Sequence, residues 1–461
     1  MKKRLQLKPK TKLKTRLSVK LTVGVAAFAT LVAVAFLAYY NFGTSTDSIA
    51  GNENSLSGFN WRKRISIAKD LVKGNSELYN FPVLVSLIDP DLRHVSSGGK
   101  MTSKNGNDIR FSKSGGNTLL PFQIEEYNPL TGALNAWVNI DTLRPGVNTE
   151  LLIYYSNSSV MNAGNTGEIT WGNGFKGVWH MGSTLNGNNS RKLRATISGT
   201  SIVEGKVGKA RSFNPESKDY ASFEYNEELN KNTDFTVGAW IYLKETGREQ
   251  VIVSNQGDQP GGYRLFIGND DQAAIDYISE TGKKTLISGN GEKLKKERWY
   301  HIAAVYSEKD NKLVTFIDGI SDRTFTNDRK PALTAAALQI GRDQFNNKSY
   351  FNGYIDELRI AAGERNQAWI ATEFYNQFKG KDLLTVYIAE EQEMDAVSIQ
   401  KNKDAMNDMA AGASAKENAA NQLKAKKVGT GTQSPQTVSG SAEVIQARLN
   451  NIKRVNEKNS R

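Results

Sequence analysis

The sequence predicts an all-β protein: two β-sandwich or jelly-roll domains after one N-terminal transmembrane helix, followed by a largely disordered tail. Three observations carry that expectation. Short runs of β-branched and aromatic residues recur between clusters of turn-forming residues. Only residues 367–378 show a convincing short helical period within the folded part. One apolar run, residues 21–40, carries no charge over a length that spans a bilayer.

The chain has 461 residues, 60 Lys and Arg against 48 Asp and Glu, three His and no Cys. The length allows two or three folded units, and the absence of Cys excludes disulfides, thiol nucleophiles and cysteine-ligated metal. The formal net charge of +12 suggests nucleic acid until it is mapped. Residues 1–20 hold nine basic side chains and no acid, and residues 391–461 hold the remaining excess of three. The β domains between are therefore close to neutral, which argues against a nucleic-acid partner.

The basic segment 1–20 and the run 21–40 read together as a signal-anchor. Twenty helical residues reach ~30 Å, one hydrocarbon core. The bases stay on the cytoplasmic side, and Tyr39 and Tyr40 fall at the far interface. The expected location is a single-pass inner membrane protein, N-terminus inside, bulk in the periplasm or outside the cell. A cleaved secretory signal is the rival reading, but its apolar core runs ~7–15 residues and no small-x-small site follows directly here. Both readings deliver the rest of the chain to the same side. Residues 41–58, rich in Gly, Ser, Thr and Asn, make a flexible stalk.

A first β-rich domain is expected over 59–157, with strands at 64–68, 82–87, 108–111, 120–126, 136–140 and 150–155. Turns at Asn105 and Gly106, Thr131 and Gly132, and Pro145 and Gly146 separate them. Residues 158–170 are small and polar, a linker. A second domain is expected over 171–390. In it, residues 234–243 alternate Phe235, Val237, Ala239 and Ile241 with Thr236, Gly238, Trp240 and Tyr242, as a sandwich strand requires. Residues 299–306 and 312–317 form a hairpin, Asp318 and Gly319 turn the chain onward, and a last strand at 383–389 closes the unit. The tail 391–461 reads as disordered except for 441–457. There Ile445, Leu449 and Ile452 recur at helical spacing, enough for a short helix that docks on a partner.

Several blocks carry a resemblance. FTVGAWIYL (235–243), RWYHIAAVY (298–306), VTFIDG (314–319), LQIGR (338–342) and YFNGYIDELRI (350–360), with GVWHM (177–181) as an opening, resemble the successive strands of a bacterial laminin-G-like, concanavalin A-like jelly roll. Upstream, WRKRISI (61–67), FPVLVSL (81–87), LPFQIEEYN (120–128) and LLIYYSN (151–157) resemble a β-rich domain of unknown function that precedes such jelly rolls in bacterial envelope proteins. Some of those relatives continue into an ExbB/TolQ-type proton-channel module, for which this chain has no later hydrophobic run. The resemblance implies binding of a glycan or an envelope protein; it also brings calcium in many relatives and glycosidase activity in some.

The residues themselves weigh these options. Glycoside hydrolysis needs two carboxyls facing one cleft at ~5–9.5 Å, which on a strand means acids two or four residues apart. Asp356 shares its expected face with Tyr354, Leu358 and Ile360, and Glu357 points the other way. Glu125 with Glu126, Glu227 with Glu228, and Asp270 with Asp271 have the same defect, so no catalytic residue is assigned and the protein is not read as an enzyme. Asp356, expected to point inward, needs a compensating partner: either calcium, the one candidate cofactor, or the backbone N–H groups of a loop. His94, His180 and His301 lie in three segments without ligand spacing. Trp240 and Tyr242 are the first candidates for a sugar-stacking face. The rim loops 255–262 and 344–349, with Asn255, Gln344 and Asn346, are the candidate ligand contacts. Two function classes remain: an anchored binding module, or a structural component of an envelope complex.

Overall fold

The computed structural model describes residues 56–392, apart from positions 117, 161–163, 165, 184, 186–192, 194, 231–232, 258–260, 290, 327–328 and 345–348. All lie within one compact unit, Ser55–Arg461. The basic segment, the expected span 21–40, most of the stalk and the tail helix 441–457 lie outside the described residues. Among the described residues no helix is long and apolar enough to cross a membrane.

The first domain contains β1 (Trp61–Ile67), β2 (Leu78–Ile88), β3 (Arg110–Lys113), β4 (Phe122–Asn128), β5 (Ala133–Leu143) and β6 (Thr149–Tyr155), followed by a single helical turn, α1 (Gly167–Thr170). The order β2-β5-β4 forms one small sheet, and β1, β6 and β3 belong to a second. The chain continues through β7 (Phe175–Trp179), β8 (Ala195–Ser198), β9 (Ser201–Glu204), β10 (Lys209–Phe213), β11 (Tyr220–Phe223), β12 (Phe235–Leu243), β13 (Gln250–Ser254), β14 (Tyr263–Ile267), β15 (Ala273–Ile278), β16 (Lys284–Ser288), β17 (Trp299–Ser307), β18 (Lys312–Ile317), β19 (Ile320–Thr326), β20 (Leu338–Ile340) and β21 (Gly353–Ala362). These make two antiparallel sheets, β19-β18-β17-β12-β21-β10-β9 with β7 beside β21, and β16-β15-β14-β13-β20-β11-β8. Phe235, Val237, Ala239 and Ile241 of β12 meet Tyr263, Leu265 and Ile267 of β14 in the core between them. Asp318 and Gly319 both adopt positive φ in the two-residue β18–β19 turn, the geometry that the right-handed twist of a hairpin favours.

The end of the second domain departs from expectation. After α2 (Gln367–Lys379), the strands β22 (Leu384–Val386) and β23 (Glu390–Glu391) do not close the jelly roll. They pair antiparallel with β1, Ile65 opposite Val386 and Trp61 opposite Glu391, and so complete the first domain's five-stranded sheet. Local pattern defines a strand but carries no information about a partner more than 300 residues away.

The two domains also share one apolar core. Val83, Val85 and Trp137 of the first domain pack with Val178, Ala303, Val305, Phe316 and Ala361 from the outer face of the eight-stranded sheet, and with Trp369 and Ile370 of α2. The Asn366 side chain caps α2 by accepting from Trp369 N at 2.8 Å. Asn376 then clamps the free edge of β2, its Oδ1 accepting from Leu84 N at 2.7 Å and its Nδ2 donating to Leu84 O at 3.4 Å. Backbone groups on an exposed edge invite pairing with another chain, and Asn376 occupies this one at Leu84.

Candidate functional site

The outer face of the eight-stranded sheet divides into a covered half and an open half. Both are built from the same alternation on β12, whose outward residues include Trp240 and Tyr242. Trp240 lies opposite His301 of β17 and Asp356 of β21. Helix α2 lies over it: Phe374 stacks on the indole at 5.5 Å, and Trp240 Nε1 donates to Gln377 Oε1 at 2.6 Å. Trp240 is 1% exposed, so it packs the helix and presents no face to a ligand.

One row further along the strand the helix is gone. Tyr242 lies between Trp299 of β17 and Tyr354 of β21, and Tyr354 lies opposite Ser212 of β10, which in turn faces Ser201 of β9. The row Trp299, Tyr242, Tyr354, Ser212, Ser201 crosses five strands, about 19 Å at ~4.8 Å per strand. The three aromatic residues are half-buried, with ring centroids 5.7 Å apart for Tyr242 and Trp299 and 5.1 Å for Tyr242 and Tyr354. Lys244 Nζ lies 4.4 Å from the centre of the Tyr354 ring. The row is an apolar floor with hydroxyls at one end.

The covered half holds a buried charge cluster at the junction of the two domains. Two β-bulges build it. In β21, Asp356 pairs with Trp240 and Arg359 with Gly238, so two residues face one, and Glu357 takes φ 49°. The extra residue reverses the expected parity: Ile355, Leu358 and Ile360 face the core, while Asp356, Glu357 and Arg359 lie together on the outer side. In β4 the register shifts at Glu125, between Ile124 and Glu126. A bulge re-aims a side chain, and here Glu125 and Glu357 both reach His180, which follows β7. His180 Nδ1 lies 2.6 Å from Glu357 Oε1 and 3.5 Å from Glu125 Oε2. Arg359 donates to Glu357 at 2.6 Å and to Glu373 of α2 at 2.7 Å, with Trp137 and Trp171 against its guanidinium.

The charges follow from this packing. Burial, and then the Glu357 charge, push the Glu125 carboxyl well above the usual carboxylate range. Burial also works against the charged form of Glu357, but the His180 and Arg359 charges outweigh it and hold Glu357 below its ordinary value. For His180 the effect of burial is overcome by Glu357 and Glu125, which raise it. The cavity beside the cluster, bordered by Arg359, Glu373 and His301, has a volume of only about 10 Å³, room for about one water.

The other expected contacts scatter. Asn255 is buried, its Oδ1 accepting from Tyr263 N at 2.7 Å, so it closes the β13–β14 hairpin instead of facing solvent. Gln344 is exposed and Asn346 lies outside the described residues. Asp356 is enclosed by the β9–β10 turn and by its own strand, accepting from the backbone N–H groups of Lys206, Val207 and Glu357 at 2.8–3.0 Å. Those donors supply what calcium would have supplied. Burial and the Glu357 charge raise its carboxyl, against the pull of the three N–H groups. Sequence reasoning missed His180 and Glu125 because the cluster is assembled over separations of 177 and 55 residues and through two bulges, none of which leaves a local signal.

The two antiparallel sheets of the second domain form a jelly-roll β sandwich of concanavalin A-like fold. Residues 215–371 match the family model described as the concanavalin A-like lectin/glucanases superfamily. Residues 105–177 match a domain of unknown function (DUF2341). No curated protein matches the chain. Among solved structures it is similar to the binding domain of Paraclostridial Mosquitocidal Protein 1, at 17% identity and a TM-score of 0.39, covering 44% of this chain and 52% of that one. It is also similar to domain 4 of AbnA, a GH43 extracellular arabinanase from Geobacillus stearothermophilus solved in complex with arabinotriose, at 18% identity and a TM-score of 0.38, covering 44% and 98%. The botulinum neurotoxin serotype G binding domain matches at 11% identity and a TM-score of 0.36, covering 43% and 50%. The chain thus spans about half the length of the toxin domains it matches.

Proposed function

We propose that the protein is an anchored extracytoplasmic binding protein, and that the row Trp299, Tyr242, Tyr354, Ser212 and Ser201 recognises a neutral glycan. The observation that carries this is the open row itself. Aromatic side chains that offer area at low entropic cost, with hydrogen-bonding groups alongside, are what an orienting site on an apolar floor requires. The near neutrality of the β domains favours an uncharged ligand over a polyanion. Anchoring rests on the uncharged run 21–40 behind nine basic residues, and it places the sandwich on the far side of the membrane. A glycan array probed with the full-length chain, and again with Trp299→Ala plus Tyr354→Ala, tests the reading. Saturable sugar binding lost in the double variant supports it; no binding, or binding untouched by the change, rejects it.

The alternative, a structural component of an envelope complex, is favoured by the shared core and by the return of β22 and β23 to the first domain. Those features make a stiff spacer. Under that reading, co-purification of a partner survives the double variant and fails when residues 21–40 or the tail are exchanged.

A further inference from the structure

We propose that Glu125, His180 and Glu357 bind a divalent first-row transition ion, with zinc or manganese as the fitting class. One ring nitrogen faces two carboxylates, and their ligand atoms all lie within 4.8 Å of one another. His180 Nδ1 can carry a single proton, yet Glu357 Oε1 and Glu125 Oε2 both approach it, the second at 3.5 Å, beyond a normal hydrogen bond. Glu125 Oε1 is buried and has no hydrogen-bond partner, in a side chain only 6% exposed.

Charge balance points the same way. The side chains of Glu125, Glu357 and Glu373 are buried around one guanidinium, Arg359, and one imidazole. Buried charges need partners: Arg359, with Arg365 acting on Glu373, answers two of the carboxylates, and the third is left to a proton or an ion. Ligand bonds of ~2.0–2.2 Å imply donor separations of about 3.0–3.5 Å. The Nδ1 to Glu125 distance already fits, and the 2.6 Å contact to Glu357 has to open by roughly half an ångström. Imidazole with two carboxylates suits zinc or manganese, whereas calcium takes 6–8 oxygen ligands. The supporting contacts are in place: Arg359 holds Glu357 Oε2 and Trp137 Nε1 donates to Glu125 Oε2 at 2.8 Å, the outer-shell bonds that fix ligand orientation. Trp137 also stacks against the His180 ring, at 5.8 Å and 13°.

The test adds Zn²⁺ alone to chelator-treated full-length protein and reads metal content per chain and the melting temperature. The proposal predicts one tightly held zinc and a rise in Tm of several degrees, both lost in Glu125→Gln and both kept in the exposed control Glu204→Gln. Glu125→Gln retains an oxygen for the Trp137 N–H. If that variant does not fold, Co²⁺ bound to the unaltered protein gives a second readout, the visible bands of a nitrogen and oxygen site of low coordination number. Failure to retain zinc, zinc held equally by Glu125→Gln, or cobalt with the spectrum of the aquo ion would overturn the proposal.

Discussion

Trp240 and Tyr242 are two residues apart on one strand and face the same way, yet one is sealed and the other stays half-open. What separates them is the reach of α2, which covers the sheet as far as Trp240 and stops short of the row through Tyr242. The covered half joins two domains through a shared core and a charge cluster. The open half leaves three aromatic rings partly exposed. The difference shows that a strand's alternation assigns a residue to a face, while the elements packed on that face decide whether it can bind anything.

The largest effect should come from the covered half. Arg359→Leu removes the guanidinium from buried Glu373 and leaves Glu357 with His180 alone, and breaking such a buried pair costs ~3–5 kcal/mol. Urea unfolding is expected to show that loss, and a change below ~1 kcal/mol would remove the cluster from the account of domain joining. Trp240→Ala is next, at about 3 kcal/mol for an emptied core site. Trp299→Ala in the open half should cost ~1 kcal/mol or less. Equal costs at the two positions would erase the division between the halves.

Lys206 sharpens the boundary between them. Its ammonium lies 4.8 Å from the Trp240 ring centre and 4.6 Å from that of Phe378. Burial lowers its pKa from 10.5 to about 8, against the pull of Asp318 and Asp356. Between those two pH values the unfolded chain holds a proton that the folded chain has lost, so stability rises with pH across that window. The penalty is fully present below pH 8, on the order of 2 kcal/mol after allowing for partial exposure. Lys206→Met should therefore be more stable than the parent at pH 7, with the gap closing toward pH 10.5. A gap that is independent of pH would mean that Lys206 is solvated.

Much of this fold is legible in the sequence, and where it is not the causes are physical. The alternation on residues 234–243 assigns every β12 side chain to its correct face, and the helical period at 367–378 finds α2. The period does not reveal that Trp369 and Ile370 face the shared core while Phe374 covers Trp240. Parity fails at Asp356 because a bulge adds one residue, and bulges have no reliable local signature. The closing strand expected at 383–389 is a strand only over Leu384–Val386, and its pairing with β1 depends on how two domains dock. Of the open row, Tyr242 is legible. Trp299 and Tyr354, its neighbours across the sheet, become visible only once register is known.

The most direct test of the binding account is a quantitative titration of whichever neutral oligosaccharide a glycan array identifies, against the full-length chain and against Trp299→Ala plus Tyr354→Ala. The account predicts at least a tenfold weaker affinity in the double variant, about 1.4 kcal/mol or more, with melting within a few degrees of the parent. Undiminished affinity, or an array on which the parent binds nothing, would contradict it.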